Sequence, residues 1–192
     1  AASEVYKRQE LATGKQISRS QIGNNVMCFS NAPLSASEAF SSPVSPPPFM
    51  VGMAEVEIDK ETGVLELIDY VAVVDCGTVI NPNLARVQVE GGIAQGIGMA
   101  LYEDVVYNEK GKNFSNSLMQ YKIPTRLDVG TIRVEFESSY EPTGPFGAKS
   151  IGEIVINTPS PAISNAIQNA TGVIIRELPM TAEKIYRGIS GR

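Results

Sequence analysis

The chain has 192 residues, enough for one domain with a substantial core, and 43% hydrophobic with 19% charged residues is the balance of a folded protein. Sixteen Lys and Arg against 21 Asp and Glu leave a net charge of -5, which offers no footprint for a nucleic-acid backbone or an anionic membrane. No apolar run approaches the about 20 residues that cross a bilayer, and the polar start Ala1-Ala2-Ser3-Glu4 is not a signal peptide, so the chain reads as cytoplasmic.

In chain order, residues 3–12 have helical composition, ended by Gly14 and a polar stretch. A start without Met inside such a run reads as a piece of a longer protein, with residues 1–192 as one subdomain of it. Residues 29–48 form a Pro/Ser-rich loop, since Ser-Pro-Val-Ser-Pro-Pro-Pro suits neither a helix nor a central strand. Ala54, Val56 and Ile58 then alternate with Glu55, Glu57 and Asp59, which predicts a strand with one apolar and one acidic face. Asp59 to Gly63 supplies a turn, and Val64 to Asp75 returns as a longer apolar strand to complete a hairpin. Asn81-Pro82 opens a helix with a cap and a proline in its first turn, running to about Tyr102.

A second hairpin is expected around Asn108-Glu109-Lys110-Gly111, and a further strand where Ile132, Val134 and Phe136 alternate with charged residues. Ser160-Pro161 starts a helix whose Ala162, Ile163, Ala166, Ile167 and Ala170 share one stripe, with Gly172 beyond its end. Thr181 caps a last helix through Tyr186. Hairpins and helices without regular β-α alternation predict an α+β fold, a mixed sheet packed with helices.

His is absent, which leaves acid–base chemistry to carboxylates, Lys or Tyr. Cys28 and Cys76 lie far apart and form no CxxC, so they read as free thiols and not as ligands of an iron–sulfur cluster or a structural zinc. The helix after Asn81 holds Gly91, Gly92, Gly96 and Gly98, each costing roughly 0.8–1 kcal/mol relative to Ala in a helix interior. Something therefore approaches this backbone closely. It is either another element packed on the glycine face or a ligand laid against main chain, with Gln95 offering an amide that both donates and accepts. Further on, Thr143-Gly144-Pro145-Phe146-Gly147-Ala148-Lys149-Ser150-Ile151-Gly152-Glu153 is a constrained loop that ends in a carboxylate just before a helical segment. Glu153 there is either a helix cap or a free base.

Taken together, several motifs resemble the last quarter of the large subunit of xanthine dehydrogenases, aldehyde oxidoreductases and their relatives. They are Val74-Asp75-Cys76-Gly77 with Asn81-Pro82, Gln88-Val89-Glu90-Gly91-Gly92 through Gln95-Gly96-Ile97-Gly98, Gly147-Ala148-Lys149-Ser150-Ile151-Gly152-Glu153, and Leu178-Pro179-Met180-Thr181-Ala182-Glu183-Lys184-Ile185. The resemblance covers roughly residue 50 to the end. It implies the C-terminal portion of a molybdenum-cofactor-binding domain, with Glu153 as the catalytic carboxylate beside molybdenum and Gln95 in contact with the pterin. Main chain at Gly91, Gly92, Lys149, Ser150 and Gly152 would lie along the cofactor, and no side chain of this chain is expected to ligate the metal.

The cofactor so implied is molybdenum-molybdopterin, with or without an attached nucleotide. Iron–sulfur clusters and FAD would belong to partner domains or subunits, and an upstream molybdopterin-binding portion or subunit would complete the site, leaving this chain inactive alone. The implied activity is hydroxylation of an electron-poor C–H bond in a small-molecule heterocycle or aldehyde, using water. The competing reading is a non-catalytic module that holds the pterin or docks a partner subunit.

Overall fold

A computed structural model describes residues 7–9, 14, 16–29, 37, 39 and 41–191, and the chain divides into two compact units, Ala1–Ser41 and Ser42–Arg192. In the first, β1 (Lys7–Gln9) pairs antiparallel with β2 (Gln16–Ser18), and α1 (Arg19–Phe29) follows directly. This corrects the helix expected over residues 3–12: Lys7–Gln9 is a strand, and the rest of that stretch lies outside the described residues. Helix propensities differ by only tenths of a kcal/mol per residue, whereas Gly14, at φ 70°, adopts a reversing conformation that most side chains resist. The helix begins instead at a capping box. Ser18 Oγ accepts from the Gln21 amide at 3.2 Å while Gln21 Oε1 accepts from the Ser18 amide at 2.9 Å. Of the expected loop at 29–48, Phe29 ends α1 and residues 41–48 carry no helix or strand. The stretch between, apart from residues 37 and 39, lies outside the described residues.

The second unit is built on a three-stranded mixed sheet in the order β3-β4-β5. β3 (Phe49–Ile58) and β4 (Leu65–Asp75) form the antiparallel hairpin read from sequence, with Phe49 opposite Asp75 and Ile58 opposite Leu65. The Asp59 carboxylate accepts from the Glu61 amide and the Thr62 hydroxyl and so closes the turn between them. α2 (Pro82–Leu101) then leads toward β5 (Thr131–Phe136), which lies parallel to β4 with Tyr70 opposite Ile132. A parallel partner needs a crossover, and α2 together with the segment after it supplies one. Asn81 Oδ1 accepts from the Leu84 amide at 3.2 Å, so the predicted cap forms.

The hairpin expected around Asn108–Gly111 reduces to a turn with one bridge, Tyr107 to Asn113. The Asn108 side chain accepts from the amides of Lys110 and Lys112, which makes the turn. Flanking Val105, Val106 and Phe114 are all exposed, so no buried face extends the pairing. After β5 come a short α3 (Ile154–Asn157), α4 (Pro159–Thr171) closed by Gly172, and α5 (Ala182–Ser190) capped by Thr181. Tyr70, Ala72 and Val74 of β4, Val134 of β5, Ile93 and Ile97 of α2, and Ile163 and Ile167 of α4 form one buried core. The fold is thus α+β, as the sequence implies. Among the described residues no helix is long and apolar enough to cross a membrane.

Three of the four α2 glycines are explained by packing. A Cβ on Gly92 would run into Val155, one on Gly98 into Glu103 and Pro124, and one on Gly96 would lie 2.6 Å from Pro159 Cγ and 3.1 Å from the Ile156 carbonyl oxygen. Gly91 differs, because nothing lies within 4 Å of the position its Cβ would take.

The loop between β5 and α3 is fastened to the end of β4. Gly77 and Ala148 form an isolated antiparallel bridge, the Lys149 amide donates to the Cys76 carbonyl at 2.7 Å, and the Thr78 amide donates to the Gly147 carbonyl at 2.8 Å. Gly147 itself, at φ 82°, sits where a Cβ would strike the Tyr140 ring. Lys149 Nζ, on a side chain only 8% exposed, reaches Asp75 Oδ2 at 2.5 Å and lies 5.1 Å from the centre of the Phe49 ring. The other carboxylate oxygen of Asp75 accepts from Ser139 Oγ at 2.6 Å and from the Gly77 amide at 3.0 Å. These three donors, Lys149 first, lower the Asp75 pKa to about 2.

Two stability predictions result. Gly96→Ala should destabilise the fold by about 1–3 kcal/mol through overpacking against Pro159, more than the gain in helix propensity returns, whereas Gly91→Ala should stabilise it by up to about 1 kcal/mol. Denaturant melts of the two variants should therefore move in opposite directions. For Asp75, a carboxyl pKa depressed on folding contributes stability that is fully present above about pH 4 and is lost as pH falls toward about 2. Asp75→Asn should cost about 1–3 kcal/mol at neutral pH and flatten the loss of stability across that acid window, which melts at stepped pH would record.

Candidate active site

The chemistry-bearing residues are placed by two stripes of α2. Val89, Ile93, Gly96, Ile97 and Ala100 follow the helical repeat into the core. On an adjoining stripe, Leu84, Gln88, Gly91, Gly92 and Gln95 line a recess of about 540 Å³. The opposite wall of that recess is Gly152, Glu153, Val155 and Ile156, at the end of the fastened loop and the start of α3. Two structures fix the spacing of the walls. Val155 packs against Gly92, and Gln88 Nε2 donates to the Gly152 carbonyl at 3.3 Å.

Glu153 occupies the residue before α3 with helical backbone angles, φ −110° and ψ −21°, and its side chain makes no capping hydrogen bond. Its carboxylate is exposed and has no protein partner among the described residues. Gly152, just before it, also has no heavy atom within 4 Å of where a Cβ would lie, as is true of Gly91 across the recess. Two glycines facing the same space thus have no internal neighbour that forbids a side chain. Gln95 is exposed on the same stripe, leaving its amide available.

Of the seven residues singled out from sequence, Gly91, Gly92, Gln95, Gly152 and Glu153 come together in this one recess. Lys149 and Ser150 lie beside it, both lining a second hollow of about 530 Å³ with Ser42 to Pro46, Gly144 and Pro145. Lys149 also borders an apolar hollow of about 510 Å³ with Val79, Ile80, Leu84 and Ile151, which shares Gln88 and Gly152 with the first. The Lys149 ammonium is committed to Asp75 and points away from ligand duty. Burial raises the pKa of the nearby Cys76 thiol, so it stays protonated at neutral pH. Among the described residues no three His, Cys, Asp or Glu side chains converge as a metal site.

Sequence reasoning named Gln88 and Asp75 within the family motifs but gave neither a role. Gln88 is legible in retrospect, being one and two helical turns from Gly91, Gly92 and Gln95 on one stripe. The pairing of Asp75 carries no such signal, because its partner Lys149 is 74 residues away.

Comparison with known proteins shows the family of the chain. The model of the molybdopterin cofactor-binding domain matches residues 2–130. The putative xanthine dehydrogenase molybdenum-binding subunit XdhA of Escherichia coli (strain K12) is 35% identical over 154 residues, covering 80% of this chain and 20% of its own. The crystal structure of quinoline 2-oxidoreductase from Pseudomonas putida 86 aligns with a TM-score of 0.67 at 40% identity, over 71% of this chain and 18% of that one. A Cu,Mo-CO dehydrogenase structure aligns over 99% of this chain and 25% of that one, with a TM-score of 0.81; at 22% identity it speaks for the fold alone. The chain spans 15% to 20% of the length of the curated relatives it matches. With a family model covering residues 2–130 and relatives aligned over most of its length, the chain belongs to the molybdopterin cofactor-binding domain family.

Proposed function

We propose that this chain forms part of the molybdopterin site of a molybdenum hydroxylase, with Glu153 as its general base. The observation that carries the reading is the single recess in which an unpartnered carboxylate faces bare glycine backbone and an exposed glutamine amide. The cofactor fits these residues. A flat heterocycle with donors and acceptors along one edge can lie against main chain at Gly91 and Gly152, where side chains would intrude, and the amides of Gln95 and Gln88 can meet that edge. Gly91, Gly92, Gln95 and Gly152 would hold the group.

When bound, molybdopterin-held molybdenum supplies two-electron redox chemistry and activates a water-derived oxygen for insertion into an electron-poor C–H bond. Glu153 does the proton work. One of its carboxylate oxygens accepts the proton that the attacking oxygen sheds, and the unheld side chain is free to turn toward that atom. Its effect rests on placement beside the reacting atoms and on exclusion of water by the walls around it. Lys149 contributes through the loop it fastens, and Ser150 through the main chain of that loop.

The match to a molybdenum-binding subunit supports an assembly in which other domains or subunits bring iron–sulfur clusters and FAD. Further protein closes the site, whether from an upstream stretch of the same polypeptide or from another subunit. Relatives named for quinoline and aldehyde oxidation favour a heterocycle or an aldehyde as substrate.

Glu153→Gln keeps shape and hydrogen bonding while removing basicity. In the intact, cofactor-loaded protein turnover should fall by about 100- to 10,000-fold with molybdenum content unchanged; parental turnover with the metal in place would exclude Glu153 as the base. Gln95→Ala should lower molybdenum and pterin content while changing the unfolding free energy by no more than about 0.5 kcal/mol, as expected for a surface side chain. Full cofactor content with a lower midpoint would return Gln95 to a packing role.

A further inference from the structure

We infer that the Asp75–Lys149 ion pair is a positioning device for Glu153, fixing the loop that delivers the carboxylate to the recess. The inference rests on the reading of Glu153 as the base. The stretch between the 3-10 turn at Pro145–Gly147 and α3 has no regular structure of its own. Its location is set by what it is tied to. Upstream of Glu153 the backbone is tied by the Gly77–Ala148 bridge, by the Thr78 amide to the Gly147 carbonyl and by the Lys149 amide to the Cys76 carbonyl; the side-chain ties among the described residues are the Lys149 ammonium to Asp75 and, nearer still, the 3.3 Å contact from Gln88 to the Gly152 carbonyl.

The pair has one geometry available to it. Asp75 is held at its other oxygen by Ser139 and by the Gly77 amide, so the carboxylate cannot swing to follow a moving lysine. Lys149 is nearly enclosed and lies over the Phe49 ring, so its ammonium cannot exchange Asp75 for water without leaving the enclosure. A fixed anion and an enclosed cation define a point four residues before Glu153. From there the chain passes Ile151 and Gly152 and enters α3, where Val155 locks onto Gly92. Glu153 therefore lies between two anchored points, while its own side chain is left free.

A role confined to overall stability makes a different forecast, and the test separates the two in the intact, cofactor-loaded protein. Lys149→Met removes the charge and keeps the stem; Lys149→Arg keeps the charge; Ile185→Val, in the core of α5 and remote from the recess, serves as a control of comparable melting-temperature loss. For Lys149→Met we expect amide exchange across residues 148–153 to accelerate at least tenfold while α4 and α5 exchange as in the parent. With cofactor content retained, kcat should fall tenfold or more with KM within about threefold. Lys149→Arg should recover most of kcat, and Ile185→Val should keep it within twofold. Asp75→Asn, with the lysine intact, should reproduce both the exchange and the kcat changes, and it stands in if Lys149→Met does not fold.

Parental exchange at 148–153, or a kcat loss no greater than that of Ile185→Val, would overturn the inference. The underlying reading fails by a different route. If Glu153→Gln turns over at the parental rate, Glu153 is not the base, and faster exchange in Lys149→Met then reports only on loop order. If Glu153→Gln is inactive while Lys149→Met is parental, the positioning role alone is lost.

Discussion

One carboxylate, Asp75, gathers the end of β4, the Gly77 turn, the segment after β5 and the loop before α3 into a single arrangement. Coulombic gain alone does not make such a contact stabilising, because the enclosed lysine loses hydration that its partner must replace. The hydrogen bonds from Ser139 and Gly77 tip the balance by preorganising the acceptor before Lys149 arrives. The consequence is local specificity more than global stability: the hydrophobic core under β4 would form without this pair, and the pair adds a side-chain anchor to the backbone ties of Gly147, Ala148 and Lys149 to the end of β4. Everything the recess requires on the Glu153 side depends on where those ties place the loop.

On the other side of the recess the constraint is steric. α2 must press against α3 and α4 closely enough for Val155 and Pro159 to reach its backbone, and Gly92 and Gly96 permit that approach at the expense of helix propensity. Gly91 carries the same local penalty without any internal contact to offset it. A packing account covers its neighbours and leaves it over. The same holds for Gly152 on the facing wall, whose backbone is not in the left-handed region either. Two unexplained glycines opposite each other are stronger grounds for a ligand than any one of them, since a lone exposed glycine is common in loops.

The sequence made legible those features whose causes are local. Alternation of Ala54, Val56 and Ile58, the Asn81-Pro82 start of α2, and the Thr181 cap each depend on a few adjacent residues, and each stands in the structure where it was read. The first unit was misread because the helical composition around Lys7–Gln9 is a weak preference, while the capping box at Ser18 and Gln21 went unused. The parallel pairing of β5 with β4 and the ion pair across 74 residues are not local and leave no periodic trace. Within the site, residue types were legible and their commitments were not. Main chain at Lys149 was read from the motif, while the commitment of its ammonium to Asp75 and the reach of Gln88 to the Gly152 carbonyl appear only in the folded chain.

The exposure of Glu153 bears on how the site works. A carboxylate in open water gains little from its position, because solvent competes for every hydrogen bond it could make and screens every charge near it. General-base action at this residue would therefore need the recess covered, so that the reacting oxygen, and not water, is the nearest proton donor to the carboxylate. This chain supplies two walls, the glycine stripe of α2 and the loop ending at Glu153, and spans 15% to 20% of its curated relatives. On the proposed reading of Glu153, a division of labour follows from the physics. The part described here would fix the geometry of the base and bare the backbone to a flat ligand, and protein closing over it would let Glu153 act by taking the water away.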